Sequence, residues 1–204
     1  MTTPPRVLSV SGDAPDPAAI TEAAAIVRRG GLVAFPTETV YGLAADATNP
    51  EAIARLNHVK GRPPDKPYSF HLHDATQIAQ FVSSVPPLAE QLMRRFWPGP
   101  LTIVMLGKDG KRVGFRVPDH PVARAFLQAC AVPVVAPSAN RSGSPPPTDA
   151  QEVLAALDGA LDCVLDAGPT RMGRESTVVE VADGRVVILR EGAIAKETIL
   201  RLAT

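Results

Sequence analysis

Three cations, Lys60, Arg62 and Lys66, fall within seven residues on the segment Lys60-Gly61-Arg62-Pro63-Pro64-Asp65-Lys66-Pro67. Its glycine and prolines keep it off a helix face, so it is not an ordinary solvated charge stripe. A stiff loop that fixes cations in one pattern suits a polyanion. In a small-molecule site that polyanion is most often a nucleoside triphosphate. A basic surface turn is the competing reading. Neither G-x-x-x-x-G-K-S/T nor a G-x-G-x-x-G after a strand occurs. Phosphates held here must therefore be held by side-chain cations and not by a glycine-rich cradle.

Two hydroxyl-rich segments sit where such a ligand would be met. Thr37-Glu38-Thr39-Val40-Tyr41-Gly42 follows the apolar run Leu32–Phe35, and Ser138-Ala139-Asn140 follows Val132–Ala136. Ligands of open α/β sheets gather where strands end; the alternative is a plain connection with local hydroxyl-to-backbone bonds. Ser138 lies outside a G-x-S-x-G frame, so its hydroxyl is read as a polar contact and not as a nucleophile. His71 and His73 lack a third ligand at usable spacing, so no metal is expected there, and His71 is read as an inward polar contact. Arg116 and Arg190 close two strand candidates, and Ser176-Thr177 opens another.

The elements that must position these residues alternate. Asp16-Pro17 and Asn49-Pro50 each open a helix, the first stopped by Gly30-Gly31 and the second by Gly61. Further helices are expected over 86–96, 121–129, 149–157 and 195–203, with a short one after Asp74. Strands are expected at 7–10, 32–35, 69–72, 101–106, 113–117, 132–136, 162–166, 176–181 and 185–189. Gly107-Lys108-Asp109-Gly110 and Asp183-Gly184 read as hairpin turns. Alternating strands and helices with two hairpins give an α/β class with a mixed parallel and antiparallel sheet.

Composition narrows the partners. Lys+Arg and Asp+Glu are equal at 21 each, which argues against a broad nucleic-acid or membrane field while leaving room for a local basic cavity. Cys130 and Cys163 have no metal-ligand spacing and sit among apolar residues, as buried reduced thiols do. No apolar signal core or membrane-length run is present, so a cytoplasmic protein with no membrane partner is expected.

Taken in order, G-L-V-A-F-P-T-E-T-V-Y-G-L, K-G-R-P-x-x-K-P, W-P-G-P-L-T, F-R-V-P-D-H-P, A-P-S-A-N-x-S-G, S-T-V-V and L-R-E-G resemble the YrdC/TsaC family of threonylcarbamoyl-AMP synthases. The resemblance runs over nearly the whole chain. It implies a YrdC-like fold, a twisted open mixed sheet flanked by helices, in a single domain 1–204 of the short type. It implies condensation of L-threonine, bicarbonate or CO2, and ATP into threonylcarbamoyl-AMP and pyrophosphate, with Mg2+ carried by the ATP. Residue by residue it puts Thr39, His71 and Ser176 on the threonine, with Arg116 gripping its carboxylate as a bidentate fork. Lys60, Arg62, Lys66, Ser138, Asn140 and Arg190 fall on the ATP side; Lys60, Arg62 and Lys66 screen the triphosphate and stabilise the leaving pyrophosphate, with Lys60 and Arg62 as the catalytic residues. Downstream it implies a threonylcarbamoyl transferase complex and tRNA. One departure is visible: relatives often read S-G-x-P-S-P-T where this chain has Ser142-Gly143-Ser144-Pro145-Pro146-Pro147-Thr148, so Pro146 brings no side-chain contact. The alternatives are a double-stranded RNA or tRNA-binding module without chemistry, expected to show a broad basic face, and a carbamoyl-transfer domain of the hydrogenase-maturation type.

Overall fold

The computed structural model describes residues 4–11, 14–62, 67–157 and 159–202. Among these residues ten strands form one mixed sheet: β1 (Arg6–Ser9), β2 (Val33–Phe35), β3 (Gly42–Asp46), β4 (Phe70–His71), β5 (Leu101–Leu106), β6 (Arg112–Arg116), β7 (Val134–Val135), β8 (Cys163–Asp166), β9 (Thr177–Ala182) and β10 (Arg185–Arg190). Their order is β1-β8-β2-β3-β7-β4-β6-β5-β9-β10, open at both ends. Among the described residues six helices join them: α1 (Pro17–Arg28), α2 (Pro50–Lys60), α3 (Pro87–Phe96), α4 (Pro121–Cys130), α5 (Ala150–Leu157) and α6 (Lys196–Leu200), with a 3-10 turn at Ala75–Gln80. The mixed α/β sheet expected from the sequence is the observed one. Among the described residues no helix is long and apolar enough to cross a membrane.

The helix starts follow from side-chain caps. Asp16 accepts from the Ala18 N–H, and Asn49 from the N–H groups of Glu51 and Ala52, each with proline in the first turn. Gly61, at φ 58°, closes α2 and turns the chain sharply just after Lys60.

Alternation along the strands sorts side chains to the two faces. On one face, Val33, Ala44 and Cys163 pack under α1 and α4 through Ala23, Val27 and Phe126. On the other, Ala34, Leu43 and Val164 pack under α2 and α5 through Leu56, Val153 and Leu157. In the β4-β6-β5-β9 half, Ile103, Phe115 and Val179 pack beneath α3 and α6 through Leu92 and Ile199. The opposite face of this half carries Thr102, Val104, Gly114 and Val178, and it lines a cavity.

One strand was not legible. The sequence reading treats the residues after Phe35 as a connection, whereas β3 returns antiparallel to β2, pairing Phe35 with Gly42. Thr37 makes the reversal: its Oγ1 accepts from the N–H groups of Thr39 and Val40 and donates to the Val40 carbonyl at 2.6 Å. Gly42-Leu43-Ala44-Ala45 has almost no β-branched or aromatic residues to announce a strand. Its pairing with β2 and β7 makes one.

Candidate active site

The cavity is open and measures about 850 Å3, in the range of small-molecule sites. Its floor is the uncovered face of β5, β6 and β9, and its walls are the β2–β3 turn, the end of α2 and the loop after β7. Gly114 keeps the floor low, because a Cβ there would lie 2.4 Å from Ser69 Oγ.

At one end stands a buried polar group. Arg116 Nη2 donates at 2.8 Å to both Glu38 Oε1 and Thr39 Oγ1, and Nε donates to the Gly99 carbonyl at 3.3 Å. Thr37 gives its proton to Val40 O, so across the 2.8 Å Thr37–Thr39 contact Thr39 is the donor. The hydrogen bonds therefore run one way, from Arg116 to Thr39 to Thr37. His71 stands beside Arg116, paired in register with it and edge-on to the Phe35 ring. Burial first, and the Arg116 charge second, push the His71 imidazole down to about 3. It is held neutral, with a buried Nδ1 that has no hydrogen-bond partner among the described residues. Across the floor Ser176 Oγ lies 2.9 Å from Thr102 Oγ1, and Arg190 Nη2 donates to the Ser176 carbonyl at 3.0 Å.

At the other end is Lys60, 4% exposed. Its ammonium donates to Ser138 O at 2.6 Å, Asn140 O at 2.5 Å and Asn140 Oδ1 at 3.1 Å. Burial first, then the nearby Arg62 charge, lower it to about 8. Asn140 Nδ2 continues to Arg141 O and Ser144 O, so the loop after β7 is tied to the end of α2. Arg62 lies over the Tyr68 ring at 4.7 Å, donates to Pro67 O and lines the cavity.

Residues 25–192 match the profile of the Sua5/YciO/YrdC family, which carries the description telomere recombination. The chain belongs to this family. It is 44% identical over 190 residues to a Bacillus subtilis protein named threonylcarbamoyl-AMP synthase, covering 88% of this chain and 55% of that one. A Pyrococcus abyssi protein of the same name is 41% identical over 186 residues, covering 87% and 55%. The chain thus spans about half the length of these curated relatives. The crystal structure of P. abyssi Sua5 complexed with L-threonine superposes with a TM-score of 0.91 at 38% identity, over 96% of this chain and 60% of that one. Escherichia coli YciO superposes with a TM-score of 0.84 at 26% identity, over 92% and 96%.

On this Sua5/YciO/YrdC scaffold the structure gathers most of the residues singled out by sequence. Lys60, Arg62, Ser138, Asn140 and Arg190 line the cavity together with His71, Arg116 and Ser176. Lys66 lies outside the described residues. Thr39 is fully buried one layer behind the wall, with its hydroxyl committed to Arg116 and Thr37. Arg116 differs from the expected two-nitrogen fork, because Glu38, Thr39 and Gly99 already occupy Nη2 and Nε. Among the described residues, these bonds leave Nη1 to face a ligand. Lys60 likewise has all three ammonium hydrogens on protein oxygens, where a free phosphate-facing cation was expected. Sequence reasoning missed Thr102. A hydroxyl between Leu101 and Ile103 on an otherwise apolar strand was its available signal.

The neutral His71 has a measurable consequence. The fold binds this proton less tightly than the unfolded chain does, whose histidine titrates near 6.5. Stability is therefore lost as pH falls from about 6.5 toward about 3. Urea denaturation of wild type should show a lower midpoint at pH 5 than at pH 7, and His71→Gln should flatten that difference.

Proposed function

We infer that this chain makes threonylcarbamoyl-AMP from L-threonine, bicarbonate or CO2, and ATP. The observation that carries the reading is the polarity of one cavity. Arg116, His71 and Ser176 offer a cation and polar groups for a carboxylate, Lys60 and Arg62 bring positive charge at the end of α2, and Arg190, hydrogen-bonded to Ser176 and paired with Glu175, lines the same cavity. The names of the B. subtilis and P. abyssi relatives, and the L-threonine complexed with P. abyssi Sua5, support the same reading. A module that only binds RNA would leave the buried Arg116–His71 end without a purpose.

The threonine carboxylate would meet Arg116 Nη1, while the Ser176 hydroxyl fixes another polar group. The threonine ammonium loses one proton to solvent, its nitrogen bonds to CO2, and a second proton leaves that nitrogen to solvent, giving a carbamate. A carbamate oxygen then attacks the α-phosphorus, and the bond from that phosphorus to the pyrophosphate oxygen breaks. Both partners are anionic, so charge neutralisation comes first. ATP would arrive with its own Mg2+; Arg62 and Arg190, with the charge of the carbonyl-bonded Lys60, would stabilise the departing pyrophosphate. Lys66 would join them. Holding the reactants in line is itself worth about 7–11 kcal/mol.

This reading places the protein in the cytoplasm, upstream of a threonylcarbamoyl transferase complex that modifies tRNA. The test is to incubate purified protein with labelled L-threonine, bicarbonate and ATP. A threonine-bearing adenylate and pyrophosphate should appear together, and both should vanish when bicarbonate is withheld. Failure to form the adenylate with all three present overturns the reading.

A further inference from the structure

Glu38 is fully buried, yet it does not line the cavity. Its carboxylate lies against Arg116, with Oε1 accepting from Nη2 at 2.8 Å and Oε2 buried without a hydrogen-bond partner among the described residues. A buried carboxylate that is only half satisfied is costly, and among the described residues Arg116 is the one cation paired with it. An apolar residue at this position would avoid that cost, so the charge calls for an explanation in what it does to Arg116.

A guanidinium has five N–H groups. Glu38 and Thr39 take both on Nη2, and the Gly99 carbonyl takes the one on Nε. The two left are on Nη1. Without Glu38 the guanidinium would keep Thr39 and the Gly99 carbonyl but lose its charged partner, and it could tilt about its last bonds. With it, the guanidinium is held in one plane with Nη1 left for a ligand, on a side chain that lines the cavity beside its strand partner His71 and together with Ser176. The Met172 N–H donates to the Glu38 carbonyl at 3.0 Å, which fixes the backbone that carries the carboxylate.

We propose that Glu38 is a positioning residue for the amino-acid half of the site: its carboxylate aims Arg116 so that Nη1 alone receives the substrate carboxylate. This rests on the reading given under Proposed function, since it takes that carboxylate to be the amino acid's. The proposal assigns Glu38 no contact with substrate and no proton.

Calorimetric titration of L-threonine and, separately, of ATP tests it. Wild type must first bind L-threonine; if it does not, the functional reading falls and not this inference alone. Glu38→Ala should weaken L-threonine at least tenfold, with ATP affinity within threefold of wild type. Glu38→Gln keeps an oxygen at the Oε1 position and should restore L-threonine affinity to within threefold. If Glu38→Ala does not fold, Thr39→Val, which is isosteric and removes the other Nη2 acceptor, should weaken L-threonine at least fivefold and leave ATP unmoved. Unchanged L-threonine affinity in the folded variants, an equal loss for both ligands, or a Gln variant as weak as the Ala variant overturns the proposal.

Discussion

Lys60→Met is expected to bring adenylate formation below detection and to lower the stability of the fold by about 2–5 kcal/mol. The two effects have one cause. The ammonium joins the end of α2 to Ser138 O, Asn140 O and Asn140 Oδ1. Methionine fills the same space with no donor and leaves those oxygens without their partner, at about 1–3 kcal/mol for each that water does not reach. The loop from Ser138 to Ser144 then loses its tie to α2 from that side, although Ser142 still donates its N–H to the Lys60 carbonyl. A lysine acting only as a counter-charge for phosphate would behave differently. Its loss would raise the ATP KM and leave the melting curve alone. Thermal melts, together with kinetics varied separately in ATP and L-threonine, separate the two roles: Lys60→Met should move the melt, and any residual turnover should show ATP and L-threonine requirements both raised.

The frame of the fold was legible because its signals are local. Asp16, Asn49 and Gly61 do at helix ends what their side chains or missing Cβ make them suited to do. The β9–β10 hairpin follows from Asp183-Gly184, both at positive φ. What stayed hidden depends on partners far along the chain. Gly42–Asp46 is a strand because β2 and β7 flank it, and nothing within those five residues says so. The composition around Lys60 shows a cation but not whether phosphate or carbonyl oxygen receives it, since its acceptors lie 78 and 80 residues later. Glu38 is the sharper case. It reads as one polar residue among threonines until β6 brings Arg116 against it. The site was therefore readable as a set of residues, while the division between those that touch a ligand and those that aim them was not.

Arg116→Lys should raise the L-threonine KM at least 100-fold, about 2.7 kcal/mol of lost binding, and leave the ATP KM within threefold. The magnitude follows from counting hydrogen bonds. Arg116 holds Glu38, Thr39 and the Gly99 carbonyl with three N–H groups and still has Nη1 for the substrate. An ammonium has three hydrogens in all and no planar fork, so it cannot hold that frame and also reach the carboxylate. Charge-assisted hydrogen bonds of this kind are each worth about 1.5–3 kcal/mol, enough for the expected loss. The substitution keeps a positive charge beside Glu38, so the fold should survive. Arg116→Ala would strand that buried carboxylate at about 3–5 kcal/mol and mix unfolding with lost binding. The lysine variant therefore separates recognition from stability. Wild-type L-threonine KM in Arg116→Lys, with a normal melt, would place the substrate carboxylate elsewhere in the cavity.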